Sequence, residues 1–505
     1  MALLCAVFTS GCVRQVAHHA GYIQVDINTS PTALDPRFAA DAISQRIGEL
    51  MFDSMLRTDA HGRYIGDLAS SYERPSPTVL IFHLRHDLRF SDGRPLTARD
   101  VIYTYDSVLD PKAMSVKRAG FTQLANIRAL DPYTVEMTTR RPYALAPQMA
   151  MLGVVPYGTP APRQAASARP VGSGPFMPVR FVRDEEVVLT RNPERPAPSN
   201  AIRGIVFKVV PDATVRALEL TEGVCDLAEN DSIEPTLIDY LSEQSRLRVI
   251  ISPGTTYQYL AFNFRDKGLR DPRVRRAIAH AINRKAIVES LRHNKAQVAS
   301  GILSPSNWAY NGDVTNYAFD PKRAMHLLAE AGYSPVDHPL KLVYKTTPEG
   351  RSLAQVLQEE LSEVGIDVII RTNEWATFYG DLERGDFNIA SSQWVGATPA
   401  LYDLVFDSHM VPPNGNNRGA YDNPQMDALL EQAEMTLDSA ARARIYGKVQ
   451  ALAARDLPYI SLWWLDNLVV INRRIHGFQP FPNGSLRSLA TATLSPAASR
   501  SGSRG

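Results

Sequence analysis

A chain of 505 residues with a formal net charge of +1, 44% hydrophobic and 21% charged residues has the composition of an ordinary globular protein. At roughly 150 residues per domain it holds about three units, more than one core organises. The balanced charge leaves no acidic or basic excess with which to recruit nucleic acid or an anionic membrane surface.

At the amino terminus, Ala2 to Phe8 is a short apolar run followed by Thr9-Ser10-Gly11-Cys12. The run is too short to span a bilayer and reads as the apolar part of a removed export signal. Ser10 and Gly11 before Cys12 resemble a lipobox, in which the cysteine is diacylated and becomes the new first residue; Thr9 stands where leucine is usual, and a cleaved soluble signal is the other reading. Residues 1–21 are assigned to signal, lipobox and tether. With Cys12 lipidated and Cys5 removed, Cys225 alone is left, so no internal disulfide is expected. Cys225 itself reads as a small buried apolar residue rather than a nucleophile.

Tyr22 to Asn28 alternates like a strand, Ser30 to Pro36 is a turn-rich connection, and Ile43, Ile47, Leu50, Met51 and Met55 form a helical stripe. Residues 78–108 predict a strand pair, a turn at Ser91-Asp92-Gly93 and a helix capped by Thr97. His83 and His86, three apart on a strand, point to opposite faces and share no metal. Short strands broken by prolines run from Thr134 to Gly158, and the Pro/Ala-rich loop 159–170 marks a boundary. The Gly-x-Gly pair in Val171 to Phe176 lacks the Lys-Ser/Thr of a phosphate loop. A strand at Ile205 to Val210, a helix from Asp212 to Glu222 closed by Gly223, and a strand at Leu247 to Ile251 follow.

Tyr257 to Phe264 is apolar at both parities, which predicts a strand covered on two sides. Asp271 and Pro272 then start one helix reaching Leu291, with Val274, Ala277, Ile278, Ala281, Ile282 and Val288 inward and Arg273, Arg275, Arg276, Arg284 and Lys285 solvated. Lys341 to Lys345, a helix from Leu353 to Val364 ending at Gly365, and Ile366 to Ile370 spell a parallel βαβ unit. The acidic clusters Glu359-Glu360 and Asp381-Glu383-Asp386 are expected on solvated helix faces. Nothing matches a G-x-S-x-G elbow, an H-E-x-x-H pair or a spaced cysteine set, so no enzyme, catalytic residue, metal or cofactor is expected.

The segments FHLRHDLRFSDGRPLTARDVIYTYDSV (Phe82 to Val108), VGSGPF (Val171 to Phe176), RNPERP (Arg191 to Pro196), YLAFNF with LRDPRVRRAIAHAINRKAIV (Tyr259 to Val288) and Tyr459 to Leu489 closely resemble the family 5 extracellular solute-binding proteins, the dipeptide, oligopeptide and nickel-type receptors of ABC importers. The resemblance covers residues 22–490. It implies an α/β fold of the two-lobed, periplasmic-binding-protein-like kind (type II, with the extra subdomain of the large peptide-binding cluster), and a cleft between the lobes. Lobe I takes residues 22–44, 170–254 and 470–495; the inserted subdomain takes 45–169; lobe II takes 255–469; residues 496–505 form a disordered tail. The implied protein is a monomeric receptor in the periplasm or at the cell surface, tied to the membrane only by its lipid, working with an ABC permease and ATPase complex and binding no nucleic acid.

In the peptide-binding members an acid shortly after a tryptophan pairs with the peptide's α-ammonium. Here the stretch is Gln393 to Pro399: Thr398 holds the place of the acid, and Ala397 is not acidic either. Either Asp403 or another acid reaches the ammonium, or the ligand has no free amino terminus. A small peptide or peptide-like ligand is the main reading; an oligosaccharide, opine or metal chelate, or a sensor uncoupled from transport, is the alternative. The expected ligand-binding set is Trp394 for its flat apolar face, Thr398, Tyr402, the loop residues Asn416 and Asn417, and Arg418, which can clamp a carboxylate bidentately.

Overall fold

The computed structural model describes residues 20–39, 41–59, 62–161 and 170–495. The expected export signal with Cys12, most of the Pro/Ala loop and the tail from Pro496 lie outside the described residues.

Lobe I opens with β1 (Tyr22–Ile27) and α1 (Ala42–Met51). The subdomain contributes β2 (Ala69–Ser76), β3 (Val79–Leu84), α2 (Ala98–Leu109), β4 (Leu124–Asp131) and β5 (Thr134–Thr139). Lobe I resumes with β6 (Phe176–Val182), β7 (Glu186–Arg191), β8 (Gly204–Val209), α3 (Ala213–Glu222) and β9 (Leu227–Glu229). The long strand β10 (Leu247–Phe262) crosses into lobe II, which holds α4 (Pro272–Ala281), α5 (Arg284–Leu291), β11 (Leu340–Thr346), α6 (Arg351–Glu363), β12 (Ile366–Thr372), α7 (Trp375–Arg384), β13 (Ile389–Trp394), α8 (Ala400–Phe406), α9 (Pro424–Met435) and α10 (Ser439–Asp456). A second long strand, β14 (Tyr459–Asn472), crosses back.

The strands outside the subdomain join in the order β12-β11-β13-β10-β14-β9-β1-β8-β7-β6. β10 and β14 are antiparallel and belong to both lobes: Leu247 to Ser252 pair with Asn472 to Asn467, and Thr256 to Ala261 with Leu465 to Tyr459. The register breaks between Ser252 and Thr256. Gly254 lies there so close to β14 that a Cβ would stand 2.4 Å from the Leu465 carbonyl oxygen, so only glycine fits. A second register shift follows between Gln258 and Tyr259, and two shared strands with common irregularities are the material of a hinge.

From Tyr257 to Phe262 β10 buries both faces, as the composition of that stretch predicts. Leu260 and Phe262 enter a core with Val274, Ile278 and Leu357; Tyr257, Tyr259 and Ala261 enter a second core with Tyr402, Phe406 and Tyr446. Full burial of a side chain such as Phe262 contributes about 1.5–3 kcal/mol. The subdomain has its own four-stranded sheet, β2-β3-β5-β4, and a core running from Met55 to Val154. Helix α1 packs Ile47, Leu50 and Met51 into the lobe I core instead. The chain re-enters lobe I at Gly172 and Gly174, where a Cβ on Gly172 would lie 2.0 Å from the Met51 carbonyl oxygen. The pair therefore serves close backbone approach rather than phosphate binding.

Of the strand pair expected in 78–108 only β3 is a strand, pairing with β2 and β5, while the segment after it closes its turn through an isolated Arg89–Pro95 bridge; the helix is capped as expected, with Thr97 and Asp100 in a reciprocal capping box. The βαβ unit is present, with β11 and β12 parallel and joined through α6. Three other expectations are corrected. The helix expected to run from Pro272 to Leu291 is two helices, because the Asn283 side chain accepts from the Ala286 N–H at 3.2 Å and starts a new one. Arg275 and Arg284 are not solvated. Arg275 donates to the carbonyls of Leu269, Arg270 and Asp456, and Arg284 to those of Ala299, Ser461 and Tyr317. Each guanidinium is buried because it closes otherwise unpaired chain ends around it. Nor is the acidic cluster on α7 wholly solvated: Asp381 is buried between Lys345, at 2.8 Å, and Arg384, at 2.7 Å. Glu360 accepts from the Asn283 N–H at 3.1 Å, and burial pushes its carboxyl up to about 7. His86 lies past the end of β3 and stacks on Tyr133. Cys225 is a free, fully buried thiol whose S–H reaches the Leu227 carbonyl oxygen at 3.2 Å.

Candidate ligand-binding site

The three neighbouring strands β11, β12 and β13 are parallel, so their carboxyl-terminal ends open on one edge of lobe II, where ligands of α/β sheets collect. That edge faces lobe I. After β13, the Ala397 N–H donates to the Thr255 carbonyl at 3.2 Å, and a Cβ on Gly396 would stand 3.8 Å from Asn483 of the other lobe. The Thr255 N–H in turn reaches the Pro482 carbonyl at 3.2 Å, and Asn467 Nδ2 donates to Phe481 and Pro482 at 3.0 and 3.1 Å. The end of β13 thus stands beside the hinge.

Trp394 is the last residue of β13 and is half-buried. Its ring lies nearly parallel to that of Tyr259, at 11° and 6.3 Å, and Tyr259 stacks on Tyr459 at 4.2 Å. The Arg418 guanidinium sits 5.6 Å from the centre of the Trp394 ring and 4.6 Å from that of Tyr379, which is on α7. Arg418 Nε donates to Glu383 Oε1 at 2.9 Å and Nη2 to Asn416 Oδ1 at 3.1 Å. Burial works against its charge, but Tyr259, Glu383, Tyr379 and Tyr459 outweigh it and hold the guanidinium in its charged form. The Trp394 indole N–H is buried and meets no acceptor among the described residues. The wall is therefore aromatic, locally neutral and supplied with one uncommitted donor.

Of the expected residues, Trp394, Asn416 and Arg418 come together. Thr398 is exposed on the loop after Trp394, its carbonyl accepting from the Leu401 N–H at 2.9 Å. Tyr402 is placed elsewhere: it is 0% exposed and packed in the lobe II core between Phe406 and Tyr446. Asn417 is likewise taken up by its own loop, donating to the carbonyls of Asp407 and Tyr421 and accepting from the Tyr421 N–H. Sequence reasoning missed Tyr259, Tyr379 and Glu383. The four-residue spacing of Tyr379 and Glu383 put them on one face of α7, but nothing local showed that Arg418 lies against that face.

Among the described residues Asp407, His409 and Asp427 place ligand-type atoms within 4.8 Å of one another. Asp427 is bonded to the Ser408 N–H and hydroxyl, and Asp407 caps the turn by accepting from the His409 N–H. These are ordinary capping bonds.

A family model described as bacterial extracellular solute-binding proteins, family 5 middle, matches residues 63–407. A dipeptide-binding protein of Pseudomonas aeruginosa is 24% identical, with 94% of this chain and 96% of that protein covered. Heme-binding protein A of Haemophilus influenzae is 25% identical over 80% of this chain and 79% of its own. The fold matches that of the oligopeptide-binding protein AppA from Bacillus subtilis, solved with a nonapeptide, at a TM-score of 0.83 and 21% identity, covering 94% of this chain and 99% of that one. With the matched segment running from inside the subdomain through β10 to the strand that ends in Trp394 and on through α8, the chain belongs to the bacterial extracellular solute-binding proteins of family 5.

Proposed function

We propose that this protein is the extracytoplasmic receptor of an ABC importer, capturing a small peptide between its lobes and delivering it to a permease and ATPase complex. The observation that carries the peptide reading is the wall at the hinge: the Arg418 guanidinium, already neutralised by Glu383, lies against the rings of Trp394 and Tyr379, and the buried indole N–H meets no acceptor among the described residues. Such a surface accepts a peptide carbonyl and an apolar side chain without demanding a charge. Binding acts by stabilising the closed arrangement of a hinge, so the function is a conformational equilibrium rather than turnover. The proposed ligand contacts are Trp394, Thr398, Asn416 and Arg418. A monomer anchored through Cys12 at the periplasmic or cell-surface face completes the reading.

A second reading keeps the receptor and changes the ligand. Ala397 is buried and Thr398 carries no charge, so no acid stands on the loop after Trp394 to receive an α-ammonium. A ligand without a free amino terminus, such as a blocked peptide, an opine or a metal chelate, fits that loop. Native mass spectrometry of the mature protein with Ala-Ala-Ala and with N-acetyl-Ala-Ala-Ala separates the two. One tripeptide bound per chain is expected; binding of the acetylated form alone selects the second reading, and binding of neither removes the peptide assignment.

A further inference from the structure

Helix α8, which follows the Trp394 loop, carries Asp403. This side chain is 7% exposed, and neither carboxyl oxygen has a hydrogen-bond partner from another of the described residues. A bare, desolvated carboxylate is strongly disfavoured. The groups that face it come from both bodies. Asp407 caps the end of its own helix, Glu434 lies on α9 and Tyr446 on α10 with Arg442 near it; Arg141 and Tyr143 come from the subdomain segment after β5, and Tyr64 of the subdomain stands beyond them. Arg141, the cation that favours the Asp403 carboxylate, is already used: it pairs with Glu434 and, at 3.2 Å, with Glu431. The Tyr446 hydroxyl, buried as well, has no partner among the described residues. The same segment docks on α9 through the Ala144 N–H, which donates to the Glu434 carbonyl at 2.6 Å.

We propose that this seam between the subdomain and lobe II is a proton-operated latch, in which Asp403 is neutral while the two are docked and gives its proton to solvent when they part. The latch rests on the reading of the chain as a receptor that opens and closes at its hinge. Only an O–H bond is made or broken, and water exchanges the proton. Burial first, and then the carboxylates of Glu434 and Asp407, push the Asp403 carboxyl well above the usual range, with Arg141 opposing. The docked form therefore holds a proton that the open form releases. Docking takes up that proton and weakens as pH climbs from the ordinary carboxyl range toward the raised value. Glu434 is pushed upward by its own burial against the pull of Arg141, which adds in the same direction.

The test uses the mature protein with nitroxide labels at Lys112→Cys on the subdomain and Lys448→Cys on α10, both exposed positions. Pulsed electron–electron resonance is expected to give one short distance at pH 5 and, at pH 8, a longer population at least threefold larger than at pH 5. Asp403→Asn is expected to keep the short distance at both values, and Asp403→Leu serves in its place if the amide variant does not fold. Identical distributions at the two pH values, or a response that survives in both Asp403 variants, overturns the latch. Loss of the response in Glu434→Gln with its retention in Asp403→Asn does the same by moving the proton to Glu434. A labelled protein that binds Ala-Ala-Ala but shows no pH response loses the latch alone. One that responds to pH yet binds neither tripeptide loses the peptide reading and keeps the latch.

Discussion

The subdomain meets its two neighbours through two buried carboxylates that are treated in opposite ways. At the junction with lobe I, Asp53 is bonded by Arg195, and Arg487 reaches both Asp53, at 3.8 Å, and Asp67, at 2.9 Å. Burial and the nearby Asp67 still hold the Asp53 carboxyl up to about 6, against the pull of both arginines. At the seam with lobe II, Asp403 has no such partner among the described residues, and Arg141 is committed to Glu434. A junction that closes each charge with a guanidinium is built to stay shut. A seam whose hydrogen bonds, among the described residues, include the Ala144 N–H to Glu434 and the Arg141 pairs, around an unanswered carboxylate, is built to part.

The largest effect expected from breaking this contrast is at the lobe I junction. Arg487→Met leaves Asp53 and Asp67 buried without their shared cation and is expected to lower stability by ~3–5 kcal/mol, read as a fall in the urea midpoint at pH 7. An unchanged midpoint means that the arginines are not what seals this junction. At the hinge wall, Arg418→Ala is expected to weaken tripeptide binding and to destabilise the fold by about 2–4 kcal/mol, since Glu383 loses its partner. The double variant with Glu383→Gln is expected to recover most of the stability and none of the binding; recovery of both makes Arg418 purely structural.

At the seam the sign reverses. Asp403→Asn is expected to stabilise the protein by ~1–3 kcal/mol at pH 8, because it removes a carboxyl that must take up a proton from solvent before it can be buried without a partner. The raised carboxyl makes the docked state lose stability as pH rises out of the ordinary carboxyl range, so the gain shrinks toward zero at pH 4. Thermal unfolding of both proteins across that window decides it, and a gain that does not vary with pH refutes the assignment of the charge. The smallest effect is at the loop. Thr398 is exposed, so Thr398→Asp is expected to change stability by under ~0.5 kcal/mol. If the natural ligand is a peptide with a free amino terminus, it binds tighter to this variant, and titration calorimetry with Ala-Ala-Ala reads the difference.

Much of the architecture was legible in the chain because it rests on local chemistry. The two-sided pattern of Tyr257 to Phe264, the Asp271-Pro272 start, the Thr97 cap and the strand-helix-strand run ending at Ile370 each depend on periodicities and caps that neighbouring residues settle among themselves. The break at Asn283 was missed because an asparagine inside a good amphipathic pattern becomes a cap only when its backbone is let go by the surrounding packing. Arg275 and Arg284 were misread for a related reason: their positions off the apolar stripe say solvent, and only the folded chain brings carbonyls from Asp456 and Ser461 to meet them.

By itself, the sequence determined the two-lobed fold and the short loop that follows Trp394, without an acid at Ala397 or Thr398. What tertiary structure decided is which side chains that tryptophan meets. Tyr259, Tyr379, Glu383 and Arg418 come from three separate elements, and their charges and rings are matched only after the β10 and β14 crossing has set lobe II in place. The same holds for Asp403, whose charge is acted on by Arg141, some 260 positions earlier in the chain. Periodicity reports which face of an element is buried. It carries no information about whether a charge on that face finds a partner, because the partner is supplied by a distant part of the chain.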